Sequence, residues 1–230
     1  MRVAALYDIH GNLPALEAVL ADVEGENVDA IVFGGDIASG PMPRETLELV
    51  QSLDGAVFVR GNADTLSSPA MSPAHDNARR WVEKQLDDEQ IAWLASLDFS
   101  AVLDDTLYVH AAPEDWTVIT ELTTDERLAE LLSGVEQSRV VAGHTHMQLD
   151  RKVGPIRFVN AGSVGMPYEA APGAYWAILD HDVEFRRTEY DLERAAAAIR
   201  ATGHPRVEEF VEDDLLVFPS REEALATFGG

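Results

Sequence analysis

The chain reads as an α/β protein of one domain. Three observations predict this. Through the first 150 residues, short apolar runs rich in Val, Ile, Phe and Tyr alternate with segments whose apolar residues recur at helical spacing. From Gln148 to Tyr190 the pattern changes to short strands broken by Gly-Pro and Pro-Gly. The 230 residues are 46% hydrophobic and show no linker-like shift in composition, enough to bury one sizeable core. The expected layout is a single unit over residues 1–230, with a helical insert at about 65–98 and a C-terminal helix and acidic tail at about 191–230.

Val3 to Tyr7 reads as a buried strand that stops at Asp8. Asn12 then caps a helix with Pro14 in its first turn and Leu13, Leu16, Leu20 and Val23 on one face. Strands follow at Ala30 to Phe33, Ala56 to Val59, Thr106 to Val109 and Val140 to Ala142. The spacing predicts helices over Pro43 to Leu53, Asn77 to Leu86, Asp88 to Leu97 and Thr124 to Leu132, the last capped by Thr123 or Thr124. Leu149 to Val153, Ile156 to Val159, Tyr175 to Leu179 and Val183 to Tyr190 read as a meander forming a second sheet. A helix from Leu192 to Ala201 ends at Gly203 and Pro205, and Ser220 with Glu223 makes a capping box for a last short helix.

There is no cysteine, so any metal must be held by imidazole, carboxylate and amide groups. The net charge of −24 repels nucleic acid and anionic membrane surfaces, which argues against both as extended partners and leaves small anionic substrates. No apolar stretch reaches bilayer length, and the expected location is the cytoplasm. Arginine supplies all basic residues but Lys84 and Lys152, a balance that fits either adaptation to high salt or an arginine-rich codon bias.

Five segments carry the chemistry: Asp8-Ile9-His10, Gly35-Asp36, Gly61-Asn62, His110 and Gly143-His144-Thr145-His146. Each closes a predicted strand, so one sheet edge would receive seven oxygen and nitrogen donors. Alone, a Gly-Asp or Asp-x-His is an ordinary turn or cap. Their ordered co-occurrence points to a dinuclear metal site. Residues two apart in extended backbone share a side, which lets His144 and His146 serve one site.

These motifs, with Gly35 to Gly40 as G-D-x-x-x-x-G, resemble the signature of the calcineurin-like metallophosphoesterases over about Val3 to Val164. The resemblance implies an αββα sandwich, four layers in which two mixed β-sheets lie face to face between helices. It implies that Asp8, His10 and His146 hold one metal, that Asn62, His110 and His144 hold a second, and that Asp36 bridges them. The ions would be Mn, Fe, Zn or Co. A water shared by two such cations becomes hydroxide near neutral pH and would attack phosphorus in line. The implied substrate is a small phosphate compound such as a nucleotide or dinucleotide, and the segments Asn77 to Leu94 and Asn160 to Gly165 with Tyr190-Asp191 are similar to a small phosphodiesterase-like branch, some of whose members cleave dinucleotides.

Ala63 departs from the family, many of whose members carry a proton-donating histidine directly after Gly-Asn. Without it, leaving groups already stable as anions are favoured, hence phosphodiesters or nucleotide anhydrides over alkyl monoesters. Arg60 is a candidate for gripping substrate phosphate, Asp64 for orienting a ligand, and His75 with Asp76 for replacing the acid. Trp81 and Trp93 read as core anchors, and His181 and His204 as surface residues. Two other readings use the same residues: a phosphomonoesterase or protein phosphatase, and a non-catalytic metal-binding scaffold like the retromer subunit of this fold.

Overall fold

The computed structural model describes residues 1–66, 72–217 and 219–228. Residues 67–71 of the expected insert, and 218, 229 and 230 of the expected tail, lie outside the described residues. Ten strands form two five-stranded sheets among the described residues. In the first, β1 (Val3–Leu6), β2 (Ala30–Phe33) and β3 (Val57–Phe58) run parallel. In the second, β5 (Thr106–Val109), β6 (Arg139–Ala142) and β8 (Ile156–Asn160) run parallel, with β4 (Ser100–Leu103) and β7 (Leu149–Val153) antiparallel on the two edges. The pair β9 (Ala174–Leu179) and β10 (Val183–Thr188) is antiparallel and joins the first sheet beside β1.

The late strands therefore correct the expectation of a separate meander. β7 and β8 extend the sheet begun by β5 and β6, while β9 and β10 cross to the other sheet. The reason is apolarity on both faces: all six residues of β9 are buried, which only a central position between β1 and β10 satisfies.

Side-chain alternation then builds the layers. Val3, Ala5 and Tyr7 meet Tyr108, Val141 and Val159 between the sheets, whereas Ala4 and Leu6 face the helices with Leu16, Leu47 and Trp176. The phenol of Tyr7 is fully buried and donates to the Val141 carbonyl at 2.9 Å, which ties one sheet to the other. Unpartnered, that hydroxyl would cost about 1–3 kcal/mol. Helices α1 (Leu13–Glu24), α2 (Pro43–Gln51), α3 (Pro73–Gln85) and α4 (Asp88–Ser96) cover the outer face of the first sheet. Helix α5 (Asp125–Leu131) covers the second through Leu128. The architecture is a mixed-sheet αββα sandwich.

Asn12 and Thr124 cap α1 and α5 as expected, and the Ser220-Glu223 box opens the last helix, α8 (Arg221–Phe228). Helix α3 begins four residues before Asn77, because Ser72 caps it and Pro73 occupies its first position. After α6 (Leu192–Arg200), the expected acidic tail instead forms α7 (Val207–Val211) and a π-helical turn over Glu212–Leu216. Phe210, Val211 and Leu215 pack that segment on Ala195, Ala196 and Ile199 of α6. No helix among the described residues is long and apolar enough to cross a membrane.

Candidate metal centre

Five parallel strands end where the candidate donors begin. Asp8 and His10 lie beyond β1, Asp36 beyond β2, Asn62 beyond β3, His110 directly after β5, and His144 and His146 beyond β6. The loops are stitched together by backbone: Asp8 N–H donates to Gly35 O at 3.1 Å, His10 N–H to Asp36 O at 2.9 Å, and Gly143 N–H to His110 O at 2.9 Å. Asp8, His10, Asp36, His144 and His146 all have φ between 49° and 68°. That left-handed conformation is strained for any residue with a Cβ, and such residues cluster at functional sites. Gly35, at φ 99°, lies so close that an added Cβ would stand 2.5 Å from Gly61 N and 2.8 Å from His110 Nδ1, and a Cβ on Gly61 would collide with the Asp36 carboxylate.

All seven predicted donors come together. Asp8, His10 and His146 form one group and Asp36, His110 and His144 a second, the potential ligand atoms in each lying within 4.8 Å of one another. Asn62 joins the second, its Oδ1 3.1 Å from His110 Nε2. Asp36 Oδ2 is 3.4 Å from His110 Nε2 and 3.7 Å from His10 Nε2, so one carboxylate oxygen reaches both groups.

The donor chemistry fits cations. The Nδ1–H groups of His10, His110 and His146 donate to the carbonyls of Ser39 (3.2 Å), Gly34 (2.9 Å) and Met166 (2.6 Å), which turns each Nε2 lone pair inward. His10 Nε2 and His146 Nε2 then stand 3.2 Å apart with lone pairs facing. Asp8 Oδ1 is buried with no hydrogen-bond partner, while Oδ2 accepts from His144 N–H at 2.8 Å. A divalent cation in each group would satisfy these orphaned donors.

The titration directions express the same need for positive charge. Burial pulls the His110 imidazolium down, but the carboxylates of Asp36 and Asp8 outweigh it and push the ring up to about 10. Burial raises Asp36 and Asp8, yet the surrounding imidazoles bring both below the usual carboxylate range. His144 is pulled down to about 4 by burial and then by His110.

Asp64 lies behind the donors. Its carboxylate accepts from the amides of Asp36 (2.8 Å), Ile37 (2.9 Å) and Gly61 (2.8 Å), fastening the loop after β2 to the loop after β3. Burial and Asp36 push it up to about 6 against the pull of the Gly61 and Ile37 amides. Ala63, which has no side-chain donor, contributes its amide to Asp36 Oδ1 at 2.7 Å. Arg60 stands beside Asn62, its Nε buried and without a partner. Asn160 to Gly165 serve as support: Ser163 Oγ donates to Asp8 O at 2.8 Å and Asn160 Nδ2 to Gly143 O at 2.5 Å. Motif reading could not find Tyr168, stacked on His146 at 4.9 Å, or Trp116, edge-on to His110 at 5.7 Å.

Other expectations resolve differently. His75 bonds to Ser72 Oγ at 2.7 Å and its charged neighbours are Arg206 and Glu209, none of them a predicted donor. His204 is buried rather than on the surface, edge-on to Trp81 at 5.1 Å. Trp81 and Trp93 pack against the core beneath the first sheet.

Sequence and structure now define the class. Residues 1–184 match the calcineurin-like phosphoesterase superfamily domain, and the chain belongs to that family. A metallophosphoesterase from Sphaerobacter thermophilus superposes with a TM-score of 0.78 at 30% identity, covering 92% of this chain and 97% of that one. The hypothetical protein PH1004 from Pyrococcus horikoshii OT3 shares the fold at TM-score 0.80 and 22% identity, over 95% of this chain and 98% of its own. In sequence, the uncharacterized protein MJ0912 of Methanocaldococcus jannaschii is 27% identical over 224 residues, 84% of this chain and 89% of its own length.

Proposed function

We propose that this chain hydrolyses phosphodiester or nucleotide anhydride bonds in small phosphate compounds, with Asp36 shared between two divalent metals. The observation that carries this reading is the reach of one Asp36 oxygen into both donor groups. Asp8, His10 and His146 would hold one ion, and Asn62, His110 and His144 the other. A mixed nitrogen and oxygen set suits Mn, Fe, Zn or Co. When bound, the ions supply Lewis acidity, offsetting phosphate charge and lowering the pKa of water toward neutrality.

The chain's own residues do the rest. Arg60 would donate to a phosphate oxygen: apart from exposed Arg194, it is the arginine whose guanidinium has no ion pair or hydrogen bond among the described residues. Asp64 fixes the amides that flank Asp36 and so positions the bridge. Hydrolysis joins a water oxygen to phosphorus and releases the leaving oxygen with its electron pair. Ala63 offers no proton for that oxygen, and a general acid contributes roughly 10²–10⁴-fold, so turnover should follow leaving-group stability.

The test is metal analysis followed by turnover of bis(4-nitrophenyl) phosphate, 4-nitrophenyl phosphate, diadenosine tetraphosphate and the alkyl monoester serine phosphate, with Asp36→Asn as control. The diester and the dinucleotide should turn over faster than an alkyl monoester, and the control should lose roughly 10³-fold or more. Full activity in Asp36→Asn, or a clear preference for a serine phosphate, would remove the proposal.

A further inference from the structure

Trp116 stands apart from the other three tryptophans. Trp81, Trp93 and Trp176 belong to the core beneath the first sheet, whereas neither Trp116 nor Phe99 belongs to any of the four apolar clusters among the described residues. Both rings are only partly covered, and they pack on each other at 4.7 Å with planes 43° apart. Two large rings that lie outside every core, pack on each other and keep part of their surface open ask for a reason in their location.

Their location supplies one. Asp115 makes a tight turn, accepting from Thr117 N–H at 2.8 Å through its side chain and from Ala112 N–H at 3.2 Å through its carbonyl, and this presents Trp116 edge-on to His110. Phe99 follows Asp98, whose carbonyl accepts from Arg60 N–H at 2.8 Å. Phe99, Trp116 and His110 are therefore joined ring to ring on the Asn62 side of the centre, and the backbone of Arg60 adjoins them through Asp98. The His146 side of the centre is lined by other rings. There Tyr168 stacks on His146 and Phe228 lies 6.3 Å beyond Tyr168.

Resting on the phosphoesterase reading, we infer that Phe99 and Trp116 form a stacking platform for a nucleobase whose phosphate is held by Arg60 and the metal centre. An arginine without an anion among the described residues and an aromatic pair outside the four apolar clusters are complementary to the two halves of a nucleotide. The platform accepts any base, since stacking uses the ring face and not its edge. It also fits the missing acid, because a nucleoside phosphate leaves as a stable anion.

The test measures binding of AMP and of ribose 5-phosphate, which lacks only the base, to the metal-loaded full chain by calorimetry and tryptophan fluorescence. AMP should bind about tenfold more tightly and quench the emission. Trp116→Leu should close the gap and abolish the quench, and Phe99→Leu should narrow the gap, deciding the matter if the first variant does not fold. Equal binding of the two ligands by the wild type, or a gap that survives both substitutions, overturns the platform. An intact gap without turnover of bis(4-nitrophenyl) phosphate would instead sink the hydrolase reading, and turnover without a gap would do the reverse.

Discussion

Five predicted donors sit in a backbone conformation that costs of order 1–3 kcal/mol each for a residue with a Cβ. Something must hold them there, and Asp64 is the most connected of the candidates, since three amides from two loops converge on it. Asp64→Asn turns an amide nitrogen toward N–H groups that now meet an oxygen. We expect a loss of about 1–3 kcal/mol in stability and a 10–100-fold weaker second metal, read by urea unfolding and metal titration. Unchanged affinity would reduce Asp64 to an ordinary turn residue. The donors themselves were legible from sequence because each rides in a short motif after an apolar run. Their strained backbone was not, because nothing in the identity of Asp8 or His146 encodes a positive φ. Nor were Ser39, Gly34 and Met166 legible as ring anchors, since every residue carries a carbonyl.

At the scale of elements, sequence reading succeeded where periodicity was unbroken and failed where it was not. Ser100–Leu103 escaped notice as a strand because it lies on an edge, half exposed and only four residues long. The segment Val207–Leu216 read as a charged tail because Glu208, Glu209, Glu212, Asp213 and Asp214 outnumber its buried anchors Phe210, Val211 and Leu215, which keep helical spacing and pack on α6, with a π-helical turn closed by Val217 N–H donating to Glu212 O at 3.2 Å. That segment lies beside His204, whose ring packs on Trp81 of α3. Burial, and then Arg206, pulls His204 down from 6.5 to about 4, with Glu209 opposing. The unfolded chain therefore binds a proton near 6.5 that the folded chain refuses until about 4. The stability of the neutral ring is complete above 6.5 and is lost as pH falls through that window. Unfolding free energy should drop by up to ~1.4 kcal/mol per pH unit more in the wild type than in His204→Leu, the difference cancelling acidic groups such as Asp214 that both proteins share. Parallel pH profiles for the two would show that the ring is not buried neutral.

For the whole molecule the governing quantity is charge. Carboxylates outnumber basic groups 41 to 17. Most arginines are already committed to ion pairs, among them Arg2 with Glu26 and Asp180, and Arg157 with Asp150 and Asp182. Basic partners are therefore used up and many carboxylates face only one another and water. Two opposing terms decide how salt acts. Exposed pairs are worth about 0–1 kcal/mol each and weaken when screened. Repulsion among the surplus acids, spread over the surface, weakens too as the Debye length falls from about 10 Å at ~0.1 M to about 3 Å at ~1 M. With more acids than bases to pair them, the repulsive term is the larger, so the thermal midpoint should rise by at least about 3 °C between those concentrations of KCl, near 1 kcal/mol for a domain of this size. Scanning calorimetry of the metal-loaded chain across that range settles the sign. A midpoint that stays flat or falls would mean that the arginine pairs, not the unpaired carboxylates, dominate the electrostatics of this fold.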